Sequence, residues 1–236
     1  FLHKNILIFR RFFNSANRFI FMYLTYEKAD NTEMLNYQND GLLHSQNYMD
    51  GGKKETVNAT LYANKGLGNL PIDAKLTTTF LWNRNEIAYN SIPCKMLIGN
   101  LKTDLGFVSR FKIPFNVEVD GLYNKLTNKV TDLNIDSSDK EFGGTAKLIF
   151  AKNKFASFVT GKWNKIENTS GSKILRDIDF SISYKIKKFT CKLSGTNIFH
   201  LNGINWLKQN VTPTYTSYVR YKQHSGNVML SLTYQL

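Results

Sequence analysis

Asp177-Ile178-Asp179-Phe180-Ser181-Ile182-Ser183-Tyr184-Lys185-Ile186 is the stretch that decides the fold. Ile178, Phe180, Ile182, Tyr184 and Ile186 fall on one side and Asp177, Asp179, Ser181, Ser183 and Lys185 on the other. Side chains of a β-strand alternate between two faces, so this pattern predicts a strand that is apolar on one face and wet on the other. A turn at Lys187-Lys188 leads into Phe189, Cys191, Leu193 and Gly195, set against Thr190, Lys192, Ser194 and Thr196.

The same alternation extends outward in both directions. At the end of the chain Val228, Leu230, Leu232, Tyr234 and Leu236 alternate with Asn227, Met229, Ser231, Thr233 and Gln235. Before it, Tyr215, Val219 and Tyr221 oppose Thr216, Tyr218, Arg220 and Lys222, and His224-Ser225-Gly226 reads as a tight connection between the two strands. Toward the N-terminus, Phe142, Gly144, Ala146, Leu148 and Phe150 form an apolar face. A turn follows near Lys152-Asn153-Lys154, then a strand through Val159 and Trp163. Phe115, Val117, Val119, Gly121 and Tyr123 oppose Asn116, Glu118, Asp120 and Asn124, while Leu101, Leu105, Phe107 and Phe111 oppose Lys102, Asp104 and Arg110. Pro114 between them suits a turn or the first residue of a strand. Weaker strand signals cover Phe19 to Tyr26, Tyr37 to Gln46, Thr56 to Ala63 and Ala74 to Asn83. The expectation is an all-β, antiparallel up-and-down arrangement of roughly eleven or twelve strands.

Composition narrows what this sheet faces. The 236 residues are 42% hydrophobic and 14% aromatic, which excludes a disordered chain. With four prolines and no Pro, Gly and Ser-rich stretch there is no sign of a linker or a domain boundary. The longest uninterrupted apolar run, Phe19 to Leu24, falls far short of the roughly 20 residues a transmembrane helix needs, so any membrane crossing must use strands. Residues Phe1 to Arg11 lack the apolar length and small-residue cleavage site of a signal peptide, and no initiator Met stands first. The chain reads as a fragment or a processed product.

Three features favour a membrane wall over a soluble sandwich. Strands of ten residues or more match a tilted membrane strand and exceed the usual five or six of soluble sheets. The apolar face is interrupted by Gly and flanked by Tyr, Trp and Phe, as in an aromatic girdle. Short connections alternate with longer polar ones, Lys125 to Lys140 and Lys165 to Lys173, as periplasmic turns alternate with outer loops.

The net charge of +13 raises the question of nucleic acid, but the basic residues are spread along the chain with no cluster and no stacking platform. Loops, a wet lumen and the anionic head groups of an outer leaflet account for them better. Cys94 and Cys191 allow one disulfide and no framework, and neither has metal-ligand spacing to His3, His44, His200 or His224. No cofactor is expected. His224 beside Ser225 lies in a turn, and the same-face Asp177 and Asp179 stand about 7 Å apart by strand rise, which suits contact with a cation or a sugar as well as plain solvation. No nucleophile and base are brought together, so no catalytic set is expected. The lumen-facing candidates for solute or plug contact are Asp177, Asp179, Lys185, Lys192, Arg220 and Lys222.

Leu193-Ser194-Gly195-Thr196-Asn197-Ile198-Phe199, followed by an excursion and the closing Gly226 to Leu236, resembles the C-terminal end of TonB-dependent outer-membrane receptors. Arg18 to Ala29, Asn47 to Gly52 and the strand from Glu55 are similar to the subgroup related to SusC, importers that work with a surface lipoprotein. The resemblance implies a portion of a transmembrane β-barrel in the outer membrane, in contact with lipid and lipopolysaccharide. It also implies a barrel-assembly signal at Gly226, Leu232, Tyr234 and Leu236, read by the barrel-insertion machinery. Two positions depart from the family pattern: His200 stands where Asn or Asp is common, and Leu236 where Phe is usual. A plug domain and TonB-contact segment are missing from these residues, as is about half of a barrel of about 22 strands. The expected function is therefore uptake of a glycan, peptide or metal chelate as part of a longer protein. The alternatives are a small non-gated barrel, porin or adhesin, and a soluble secreted β-sandwich that binds carbohydrate.

Overall fold

The computed structural model describes residues 2–13, 18–41, 43–169, 171–211, 216–223 and 225–235, and of residues 12, 13, 204–211 and 216–223 the backbone alone. The chain is all-β. Its strands are β1 (Leu2–Phe13), β2 (Arg18–Asn39), β3 (His44–Gly66), β4 (Ile72–Tyr89), β5 (Ile92–Ser109), β6 (Phe115–Val130) and β7 (Ile135–Lys152). They continue with β8 (Phe155–Asn168), β9 (Gly171–Ile186), β10 (Phe189–Thr196), β11 (Ile204–Val211), β12 (Thr216–Gln223) and β13 (Asn227–Tyr234). Eleven form one antiparallel sheet in the order β1 to β10 and then β13, open between its edges β1 and β13, while among the described residues β11 and β12 pair only with each other.

Register makes the two faces of this sheet chemically opposite. The pairs Phe115↔Phe150, Leu148↔Val159, Val159↔Phe180, Ile182↔Leu193 and Leu193↔Leu230 carry a single apolar face across β6 to β13. On β2 to β5 that face continues through Met22↔Leu61, Ala59↔Phe80 and Phe80↔Leu101. The other face holds Glu118↔Lys147, Thr145↔Lys162, Lys162↔Asp177 and Lys185↔Thr190. Phe80, Leu105, Val119, Leu148, Val159, Ile182, Leu230 and Leu232 on the apolar face are all exposed, and among the described residues no second sheet covers them.

Aromatic side chains mark both borders of the apolar face. On β6, β7 and β8 the pairs Phe115 and Tyr123, Phe150 and Phe142, and Phe155 and Trp163 each stand eight residues apart. The near border is continuous, with ring centroids 4.7 Å apart for Phe115–Phe150 and 5.7 Å for Phe150–Phe155. At the far border Phe142 meets Trp163 edge-on at 5.4 Å. Eight residues rise about 26 Å along a strand, or about 20 Å across a sheet of strands tilted by about 40°.

The buried hydrophobic residues Met34, Tyr37, Ile87, Ala88, Cys94 and Val130 all lie beyond that far border. There the β2–β3 hairpin bends at Asn31, whose φ is 59° and where the register shifts. The tip of β2 stays paired with β3, Asn36 opposite Asn47, and on its other edge pairs in parallel with β4, Asn36 beside Ala88 and Tyr37 beside Tyr89. Ser91 N–H donates to the buried Asn36 Oδ1 at 3.1 Å and Asn90 N–H to Tyr37 O at 2.8 Å. Tyr37 thereby packs on Ile87, Cys94 and Val130, which the register places on the polar-face side.

Several expectations are corrected. Lys125 to Lys140 and Lys165 to Lys173 are mostly strand: β6 runs to Val130, β7 starts at Ile135, β8 reaches Asn168 and β9 starts at Gly171. Polar residues interrupt both faces of these extensions and leave isolated apolar positions such as Leu126, Val130 and Ile166, so the alternation that marks a strand is lost while the backbone ladder continues. The segment Tyr37 to Gln46 spans the turn between β2 and β3, and Phe111 lies in the turn after β5. Leu2–Phe13 is a strand as well, and the eleven strands of the main sheet agree with the roughly eleven or twelve expected, with β11 and β12 beside them. The connection at His224-Ser225-Gly226 joins no hairpin, because β13 pairs with β10 and β12 with β11; His224 itself lies outside the described residues. Cys94 and Cys191 are both free, one buried and one exposed.

Candidate functional site

The alternation of β9 puts Asp177 and Asp179 on the polar face, and the early end of β10 gives them their partners. β10 stops at Thr196, so β9 from Asp179 back to Gly171 lacks that neighbour. Asn197 then takes a left-handed conformation, φ 50°, which asparagine tolerates better than most residues. It turns the chain into a single 3-10 turn, Ile198–His200, against the vacated edge.

The two carboxylates hold that turn. Asn197 N–H donates to Asp179 Oδ1 at 2.9 Å and Phe199 N–H to Asp177 Oδ1 at 3.1 Å. Asp177 Oδ1 also accepts Ile178 N–H at 2.8 Å, and its Oδ2 lies 2.8 Å from His200 Nδ1. Lys162 of β8 forms an ion pair with Asp179 and reaches Asn197 Oδ1 at 3.4 Å. His200 O accepts Gly203 N–H at 2.8 Å and Gly226 N–H at 3.0 Å, which ties the turn to the start of the closing strand. The carboxylate side chains of Asp177 and Asp179 are 11% and 18% exposed, so most of their acceptor capacity is used within the protein.

Between this cluster and β5 to β8 lies a polar-face cavity of about 380 Å³. Asp104, Asp120, Thr145, Lys162, Asn164 and Asp177 line it. Thr145 Oγ1 donates to Asp120 Oδ2 at 3.4 Å, and Asn164 Nδ2 to Glu141 Oε1 at 2.6 Å. Asn164 Oδ1 is buried without a partner among the described residues. Leu122, Trp163 and Leu175 make much of the lining apolar, while the carboxylates of Asp104, Asp120 and Asp177 and the amide of Asn164 supply acceptors, so the cavity suits a small solute with an apolar body and hydroxyl or N–H donors.

Of the candidates read from the sequence, Asp177 and Asp179 meet here and the others do not. Lys185 Nζ donates to Gln235 Oε1 at 3.1 Å near the opposite border. Lys192 is exposed on the polar face, opposite Ser183 and Ser231. Arg220 and Lys222 stand opposite Leu207 and Asn205 in the separate β11–β12 ribbon, so register does not place them on the polar face of the sheet, and their side chains lie outside the described residues. Among the described residues no group of three His, Cys, Asp or Glu is placed to hold a metal ion.

The assembly-signal residues fall at the closing strand. A Cβ on Gly226 would lie 2.7 Å from Thr196 O and against the backbone of Asn197, so only glycine lets β13 start there. Leu232 is exposed on the apolar face, and Tyr234 stacks on Phe189 at 4.8 Å. Leu236 lies outside the described residues. Lys162, Asn197 and Asn164 were not foreseen as members of the cluster. An Asn after a strand is a turn signal that could have found Asn197, whereas Lys162 and Asn164 meet it only through sheet register.

No protein-family model matches this sequence, and neither does any curated protein.

Proposed function

We propose that the sheet is part of the wall of an outer-membrane β-barrel, a receptor that takes up a solute in a TonB-dependent manner. The observation that carries this reading is the exposed apolar face bordered on β6, β7 and β8 by aromatic residues eight residues apart. A border spacing of about 20 Å is close to the apolar band of about 25 Å that a membrane barrel presents to lipid. In water such a face would be a large unsatisfied patch, far beyond what a soluble protein leaves open.

In this reading the apolar face meets lipid and lipopolysaccharide, the polar face lines the lumen, and the cavity at Asp120, Lys162 and Asp177 lies on the solute path. The edges β1 and β13 present unpaired N–H and C=O groups, which are costly in hydrocarbon. They are completed by further strands of the same protein, which also supplies the plug, the contact with TonB and the contact with a surface lipoprotein. The insertion machinery reads the closing strand from Gly226.

Fractionation tests the location: the protein should sediment with the outer membrane, need detergent for extraction and migrate differently before and after heating. A soluble, detergent-free product overturns the reading. Solute flux that persists after the proton gradient is collapsed leaves a passive barrel instead of an energised receptor.

A further inference from the structure

The apolar face is not smooth: between β6, β7, β8 and the start of β9 it holds a hollow of about 610 Å³. Phe142, Trp163, Ile178 and Phe199 wall it, and Gly144, Ala146 and Gly161 leave its floor low. Gly144 is required by the backbone, since a Cβ there would lie 2.6 Å from Asp120 O. Gly161 is not: its Cβ would come no closer than 4.0 Å to another atom, and its φ is not left-handed. A strand glycine that packing does not demand marks a place where something else approaches the backbone.

Cations stand at the far border of this hollow. Arg176, opposite Trp163, lines it directly, and Lys165 lies opposite Phe142. Lys165 is paired with Glu167. One row further, Lys125 and Lys140 stand directly opposite each other on the same face. Glu167, opposite Lys140 and paired with Lys165, is the one carboxylate in this row, so Lys125, Lys140, Lys165 and Arg176 leave the border net positive and attractive to an anion.

We propose that the hollow binds one membrane lipid with a net-anionic phosphate head group, its acyl chain over Gly161 between Phe142 and Trp163 and its phosphate at Arg176 on the side of Lys165, with Lys140 and Lys125 adding positive charge further along the border. This site rests on the membrane reading of the sheet and adds to it a specific lipid position. The turn at Ile198–His200 belongs to the same device, because Asp177, which accepts Phe199 N–H, holds Phe199 at the rim.

Trp163 reports on occupancy. A variant with Trp82→Phe and Trp206→Phe leaves it as the single tryptophan of the chain. This protein is placed in phosphatidylcholine vesicles that contain a minor fraction of phosphatidic acid, with bromine on the acyl chains of one lipid or the other. Brominated phosphatidic acid should quench Trp163 well beyond its mole fraction. Arg176→Gln should lower that excess by about fivefold, and Lys140→Gln, further from the hollow, by less. Gly161→Leu, which fills the hollow, should abolish it while brominated phosphatidylcholine still quenches, which shows that the variant remains inserted. Quenching by both lipids in proportion to their mole fractions overturns the site and leaves the membrane reading standing. Quenching by neither lipid overturns both.

Discussion

Val159 lies midway between the aromatic borders of β8, four residues from Phe155 and four from Trp163. Ile186 lies on the same face at the near end of β9, beside the turn at residues 187–188. The two are similarly exposed, 49% and 56%, so in water an arginine at either should shift stability by no more than about 0.5 kcal/mol. Lipid separates them. Four residues of a strand tilted by about 40° place Val159 about 10 Å from each border, at the middle of the apolar band. Val159→Arg should cost about 2–4 kcal/mol there, a roughly 30- to 700-fold fall in the folded-to-unfolded ratio. Ile186→Arg, at the border, should cost about 0–1 kcal/mol. Urea unfolding of the protein in lipid vesicles, followed by tryptophan fluorescence and by heat-dependent gel mobility, measures both. Equal costs at the two positions would refute the argument, because Val159 and Ile186 are alike in face and exposure and differ in depth.

Other substitutions probe the turn, the closing strand and the cysteines. Asp177→Ala removes the acceptor of Phe199 N–H and the partner of His200, and should cost about 1–3 kcal/mol; hydrogen exchange should rise at residues 197–203, while Asp177→Asn retains part of the protection. Gly226→Ala should sharply lower the yield of heat-modifiable protein, since the added Cβ meets Thr196 O and the Asn197 backbone. Cys191, exposed on the apolar face, should react with an apolar maleimide in vesicles and resist a charged one, whereas the buried Cys94 should react with neither until the protein unfolds. Tyr37→Ala should cost about 3–5 kcal/mol, read as protease sensitivity confined to the β2–β3 hairpin.

How far the fold was legible follows the solvent on each side of a strand. Asp177 to Ile186 announces itself because one face is apolar and the other wet, so a single stretch carries the whole signal. Lys125 to Val130 and Lys165 to Asn168 are equally extended, yet polar residues interrupt both of their faces and isolated Leu126, Val130 and Ile166 make no alternation to read. The β10–β13 pair was hidden for a different reason: the β11–β12 ribbon intervenes, and adjacency in sequence favours the wrong partner for β13. The alternation placed Asp177 and Asp179 on the polar face, but their role as anchors of the turn needs Asn197, Phe199 and His200, brought up only when β10 stops short of the end of β9.

The position of the small buried core follows the same logic. A sheet whose apolar face meets lipid needs no core at that level, because hydrocarbon already covers its side chains and every interior strand satisfies its neighbours' N–H and C=O groups. In the proposed membrane setting the strands beyond Tyr123, Phe142 and Trp163 leave hydrocarbon for water. A two-stranded ribbon is marginal in water, so the β2–β3 hairpin requires burial of its own. It gains this by bending at Asn31 and setting Tyr37 on Ile87, Cys94 and Val130, all on the polar-face side. The direction of the bend is what the membrane reading demands: a hairpin folded over the apolar face would lie across the lipid border, whereas one folded over the polar face narrows the mouth of the lumen. In the proposed membrane setting, the buried cluster and the exposed apolar face are two consequences of one boundary between hydrocarbon and water.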